Sequence, residues 1–161
     1  MRVVRWSSPA REVAERIGVR LRSGTRGTPR AVIWERDGRR LVLHLSTLAV
    51  ELRDGWLLVD LLVQAGETGR QRLQFVFYLG EDGDGDGARA GGTIHTTRVD
   101  ATRIADFWGE GLQRVVWDGV LDVIEGSVEL SEERARGAPV SLLGFSSTDG
   151  FLHVDTTADD G

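Results

Sequence analysis

The sequence predicts an α+β domain: a curved antiparallel β-sheet of about six meandering strands plus a C-terminal hairpin, packed by one short N-terminal helix and one long helix. Three observations predict it. Asp-Gly pairs at 37–38, 54–55 and 149–150 each separate two apolar runs, and Asp-Gly readily takes the positive φ of a tight hairpin turn. The runs alternate in places, with Leu41, Leu43 and Leu45 on one face and Val42, His44 and Ser46 on the other. Residues 101–126 instead repeat their apolar side chains at helical spacing.

In chain order, RVVRW at 2–6 reads as a short first strand. Ser8, Pro9 and Glu12 then look like an N-cap, a first helical position and a capping-box acid. Val13, Ile17 and Leu21 continue that helix at a four-residue spacing, and RSGTRGTP at 22–29 is a loop. Strands are expected at 31–35, 41–46, 48–52, 56–63, 71–79 and 92–98. Asp100 or Thr102 can cap the long helix, whose sheet-facing side carries Ile104, Trp108, Leu112, Val115 and Gly119. Trp117, Leu121 and Ile124 fall almost opposite. The second half of the helix is therefore apolar on two sides, so it is either covered twice, by the sheet and by the C-terminal hairpin, or offers a patch to a partner. SEERARGA at 131–138 is a polar connection, and strands at 140–146 and 151–155 close the domain. A single domain over 1–155 and a disordered tail over 156–161 follow.

A chain of 161 residues, 40% hydrophobic and 28% charged, can bury a core of ordinary size without a metal or disulfide. It has no cysteine, which excludes disulfides, thiolate catalysis and cysteine metal sites. The N-terminus lacks the apolar run of a signal peptide, and no stretch is long and apolar enough to span a membrane. A soluble cytoplasmic protein is expected. All twenty basic residues are arginine, a usage that suits a high-GC bacterial genome. Residues 1–53 hold twelve arginines against five acids, and residues 54–161 hold eight against twenty. The halves balance at +7 and −12, which fits two parts of one domain that complement each other once folded.

Four constellations have chemical potential. Asp82, Asp84 and Asp86, followed by Gly87, match the start of an EF-hand calcium loop, in which alternating acids supply oxygen ligands. The twelfth position, which should be a bidentate glutamate, is Thr93, and the flanks read as strands. A solvated hairpin tip is the simpler reading, with calcium as the lesser one. His44, His95 and His153 all fall on strands without metal-ligand spacing. Asp118, Asp122 and Glu125 share one helix face, where paired carboxylates can do acid–base work but more often form the wet side, with Arg114 placed to pair with Asp118. Seven arginines between Arg20 and Arg40, with Trp34 among them, could face nucleic acid, but a net charge of −5 argues against it. No Walker, Rossmann or nucleophile-elbow pattern is present, and no cofactor is called for.

The expected function is thus non-enzymatic protein–protein interaction, as an accessory, chaperone-like or immunity-like protein with a protein partner or a second copy of itself. Trp117, Leu121 and Ile124 are the expected partner-binding residues. The order of elements is also similar to that of helix-grip proteins, in which a long helix closes a curved sheet over an apolar ligand cavity. That similarity is one of topology alone, and the hairpin at 140–155 departs from it. It implies an alternative function, a small-molecule binder or modest enzyme, with Phe75, Phe77 and Tyr78 lining a pocket between sheet and helix.

Overall fold

The computed structural model of the chain describes residues 1–66, 68–79 and 92–159, which form two antiparallel sheets and two helices. Strand β1 (Arg2–Pro9) runs directly into helix α1 (Ala10–Arg22). Six strands follow: β2 (Arg26–Thr28), β3 (Ala31–Arg36), β4 (Arg39–Arg53), β5 (Trp56–Ala65), β6 (Gln71–Tyr78) and β7 (Thr93–His95). They pair in chain order as one meander. Helix α2 (Val99–Ala135) comes next, then the hairpin of β8 (Val140–Thr148) and β9 (Phe151–Ala158). The hairpin does not join the meander. It takes β1 as its third strand, giving a separate sheet in the order β1-β9-β8.

The α+β architecture and the long helix are as predicted, with several boundaries moved for physical reasons. The segments 41–46 and 48–52 are one strand, β4, with an irregularity between His44 and Ala49. The segment 45–48 holds no glycine, proline, asparagine or aspartate, the residues that most favour a tight turn. Thr47 instead fills the gap in the ladder, donating from Oγ1 to the His44 carbonyl and accepting from the Leu62 N–H at 3.0 Å. The sheet still has six strands, because Arg26–Thr28, expected in a loop, pairs with β3. The last strand shrinks to Thr93–His95.

Ser8 is not an N-cap. Its backbone belongs to the ladder opposite Leu152, so Pro9 becomes the cap, and the Ala10 N–H donates to the Gly150 carbonyl at 3.1 Å. A carbonyl from the far end of the chain does the work expected of a local side chain. Arg98 likewise replaces Asp100 or Thr102 as the cap of α2, with no side-chain hydrogen bond. The polar segment at 131–135 continues α2, because Trp6 Nε1 donates to Ser131 Oγ at 2.6 Å and that hydroxyl lies 2.7 Å from Thr156 Oγ1. Thr156, expected in a disordered tail, is therefore buried within β9, which extends to Ala158.

The hairpin turns stand where Asp-Gly placed them. Asp37 and Gly38 both take positive φ, at 50° and 75°, which joins twisted strands without splaying them. The β4–β5 turn is also clamped from outside. Gly55 N–H donates to the Ser147 carbonyl at 3.2 Å, Gly150 N–H to the Leu52 carbonyl at 2.9 Å, and Ser147 Oγ to the Arg53 carbonyl at 2.7 Å. The tips of the two sheets are thereby tied together.

Both helices pack on one face of the six-stranded sheet. Leu43, Leu57, Val59, Leu61, Leu73 and Phe75 point to that face and are at most 1% exposed. Along α2 the stripe Ala101, Ile104, Trp108, Leu112, Val116 lies over them. At 37 residues the helix is about 55 Å long at 1.5 Å per residue, longer than this sheet needs. Its second half is buried across a wider arc, including Trp117, Val120, Val123 and Ile124, since the three-stranded sheet and α1 cover it as well. Gly119 makes the α1 contact possible: a Cβ there would sit 2.6 Å from the Ile17 Cα. This glycine faces α1, not the sheet as its place in the helical repeat suggested.

Candidate interaction surface

The residues expected to meet a partner turn inward. Trp117 is 8% exposed and stacks on Phe77 with ring centroids 5.4 Å apart, while Phe145 of β8 tilts over it at 6.1 Å. Ile124 is 3% exposed, and Leu121 is half-buried against the core. The hairpin thus supplies the second cover that this side of the helix requires. The proposed pocket meets the same packing: Phe75 is fully buried and Phe77 is 2% exposed, so both are core, whereas Tyr78 points out of the opposite face. Asp82, Asp84 and Asp86 lie outside the described residues.

The charged constellations are used within the fold. Arg20 of α1 donates from Nε and Nη2 to both oxygens of Asp122, at 2.6 and 2.7 Å. That fork holds the Asp122 carboxyl below its ordinary range and pushes the Arg20 pKa upward, with Asp118 and Glu125 adding to the field on Arg20. The acidic row is the counter-surface of an N-terminal arginine, as the uneven charge halves suggest. Arg114 lies 3.7 Å from Glu110. Arg36 and Arg39 both sit over the Phe107 ring, 5.2 and 4.5 Å from its centroid. Among the described residues no group of three or more His, Asp or Glu side chains could hold a metal ion.

His153 is the most chemically suggestive histidine. Ser7 Oγ lies 2.7 Å from its Nδ1 and Thr148 Oγ1 lies 2.7 Å from its Nε2, because both strands bordering β9 place a hydroxyl beside it. A neutral imidazole donates through one nitrogen and accepts through the other, so both are already occupied. Asp155, two residues on, is held by Arg5 Nε and Nη2 at 2.8 and 3.0 Å, which keeps its carboxyl below the ordinary range. This row is the wetted outer face of the three-stranded sheet.

The outer face of the six-stranded sheet is built differently. Alternation and register place Trp56 and Leu58 of β5 directly opposite Tyr78 and Val76 of β6, all four pointing away from the helices. Trp56 and Tyr78 are 44% and 48% exposed and meet edge-to-face at 5.1 Å. A second apolar group, Ile33, Val42 and Leu62, lies further along the same face, half-buried. No protein-family model, curated protein or solved structure matches this chain. The surface must therefore be read from its own chemistry.

Between and around the apolar groups, the charges on β3 to β6 come in matched pairs. Arg53 meets Glu51 at 2.7 Å, Arg72 meets Asp60 at 2.6 Å, and Arg40 meets Glu35 at 3.6 Å. Arg26 of β2 also pairs with Glu35, so the outer face of the sheet carries four arginines against three carboxylates. The sequence does carry a signal for it. WLLV at 56–59 and FVFY at 75–78 are apolar at consecutive positions, so strands built from them are apolar on both faces. An antiparallel strand with one face in water has no need of that pattern.

Proposed function

We propose that this chain acts through protein–protein interaction, using the outer face of its six-stranded sheet. The observation that supports this reading is the aromatic pair Trp56 and Tyr78, both about half exposed, continuous with Leu58 and Val76 on a face over which neither helix lies. Apolar sheet surface of this kind is stable when another surface covers it. Aromatic anchors ringed by paired charges have the composition of a binding centre with a polar rim. The packed space between sheet and α2 favours interaction over the pocket reading, since the side chains that would line a cavity fill it.

A photo-crosslinking amino acid placed at position 78 in the producing cell tests this proposal. The expected result is a discrete protein adduct whose yield falls when Leu58 is changed to Lys. No protein adduct at 78, or equal adducts from a probe at Phe151 on the other sheet, would overturn it.

A further inference from the structure

We infer that the tip of the β3–β4 hairpin holds a phosphate monoester between Arg36 and Arg39. The site lies on the helix side of the sheet, over Phe107 of α2, and does not depend on the interaction proposed for the outer face. Like charge is the first argument. The Asp37-Gly38 turn makes Arg36 and Arg39 the last facing pair of the hairpin, so two cations stand directly opposite each other. Such a pair destabilises a sheet, and nothing in the turn requires it. Both guanidinium carbons also lie over one ring, 5.2 and 4.5 Å from the Phe107 centroid, which draws the two charges together. A local cost of this kind marks a place where function competes with stability.

The shortage of acid is the second argument. At Asp122 and Asp155 a single arginine fork meets a single carboxylate. At the hairpin tip, Asp37 is the only carboxylate among the described residues in ion-pair range of Arg36 or Arg39, and it stands 3.8 Å from Arg36 Nε, beyond hydrogen-bond reach. Glu35, facing Arg40 on the outer side, is already shared by Arg26 and Arg40. Of the acids flanking Phe107 on α2, Glu110 pairs with Arg114, and Asp106 makes no ion pair with either arginine among the described residues. Open donors are the third argument. Arg36 gives Nη1 to the Phe107 carbonyl at 3.1 Å, which fixes that guanidinium and leaves its other terminal nitrogen for a ligand. Arg39 makes no hydrogen bond among the described residues, so all of its N–H donors are open. A guanidinium resting on an aromatic face keeps its N–H edge for a ligand, and both arginines are exposed enough to be reached. A carboxylate fills one fork. A phosphate monoester carries a charge of about −1.5 to −2 at neutral pH and three acceptor oxygens, enough to engage both.

Titration calorimetry of the purified full chain with inorganic phosphate, O-phosphoserine, acetate and a single-stranded oligonucleotide tests this. Phosphate and phosphoserine should bind, and acetate should bind at least about 10-fold more weakly, since it engages one fork where they engage two. Arg39→Gln should weaken phosphoserine binding by about 10-fold or more, and Arg39→Lys should restore only part of it, because an ammonium lacks the fork. Arg53→Gln, which removes an arginine already paired with Glu51, should leave binding unchanged. Phosphate should also raise the melting temperature of the wild type and not that of Arg39→Gln. Circular dichroism confirms that each variant is folded, and Arg36→Gln repeats the test at the facing position. A phosphoserine peptide separates the sources of the group: binding tighter than free phosphoserine places it on a protein, and equal binding places it on a small molecule. No binding of phosphate or phosphoserine at roughly 10 mM, equal affinity for acetate, binding indifferent to Arg39→Gln, or a preference for the oligonucleotide would overturn the inference.

Discussion

The outer faces of the two sheets make a natural pair for comparison. On the three-stranded sheet, the outward residues of β1 and β9 form cross-strand polar partners: Arg5 with Asp155, and Ser7 with His153. This sheet exposes apolar side chains too: Val3, Phe151, which stacks on His153, and Leu142 and Leu143 on β8. On the six-stranded sheet, the corresponding positions of β5 and β6 hold Trp56 with Tyr78 and Leu58 with Val76. Both sheets bury their other face against the same helix. Packing demands from within do not account for the difference. We propose that it reflects what each outer face meets: water for the polar row, and another protein surface for the face of Trp56 and Tyr78.

The sharpest way to break this comparison is to show that an inner aromatic and an outer one behave alike. Trp117→Ala should cost about 3–5 kcal/mol in chemical denaturation, because it empties the space between Phe77 and Phe145. Trp56→Ala, measured below any association, should cost no more than about 1 kcal/mol, as its ring is near half exposed. Equal losses would mean that Trp56 is core or that Trp117 is not. The next effect belongs to the helix pair. Gly119→Ala should destabilise by about 1–3 kcal/mol, since the new methyl meets the Ile17 backbone, which has no rotamer to yield. Gly126→Ala on the same helix meets nothing within 4 Å and should be neutral or slightly stabilising.

The smallest effect is electrostatic. Arg20 depresses the Asp122 pKa below its ordinary value of 3.8, so the pair stabilises the fold above that pH and loses its contribution as pH falls through the lower folded value. The stability gap between wild type and Asp122→Asn should be small near neutrality and should close below about pH 4. Denaturation curves at several pH values measure it. A gap that widened on acidification would contradict the assignment of Arg20 as the partner.

Much of the fold was legible locally. The Asp-Gly turns, the long helix and the need to cover its second half twice all follow from spacing within a few turns of chain. The C-terminal hairpin covers that helix as expected, but its third strand was not legible, because β1 and β9 are joined by pairs such as Arg5 and Asp155, about 150 residues apart. The same distance explains the caps: the carbonyl that satisfies Ala10 belongs to Gly150. The candidate surface was missed for a different reason. Trp117, Leu121 and Ile124 form a second apolar side on the long helix, which spacing within the helix reveals, whereas Trp56 belongs to a strand whose exposed face depends on its neighbours. The consecutive apolar residues of WLLV and FVFY were the signal, and only the register shows that Leu58 and Val76 coincide on the open side.

The central claim, that one outer face is an interface and the other is not, is tested most directly by covalent surface labelling of both faces in one molecule. Labelling in the producing cell is compared with labelling of the dilute purified chain. The account predicts that Trp56 and Tyr78 lose reactivity in the cell while Val3 and Phe151 keep theirs. Unchanged labelling of Trp56 and Tyr78, or protection confined to Val3 and Phe151, would contradict it.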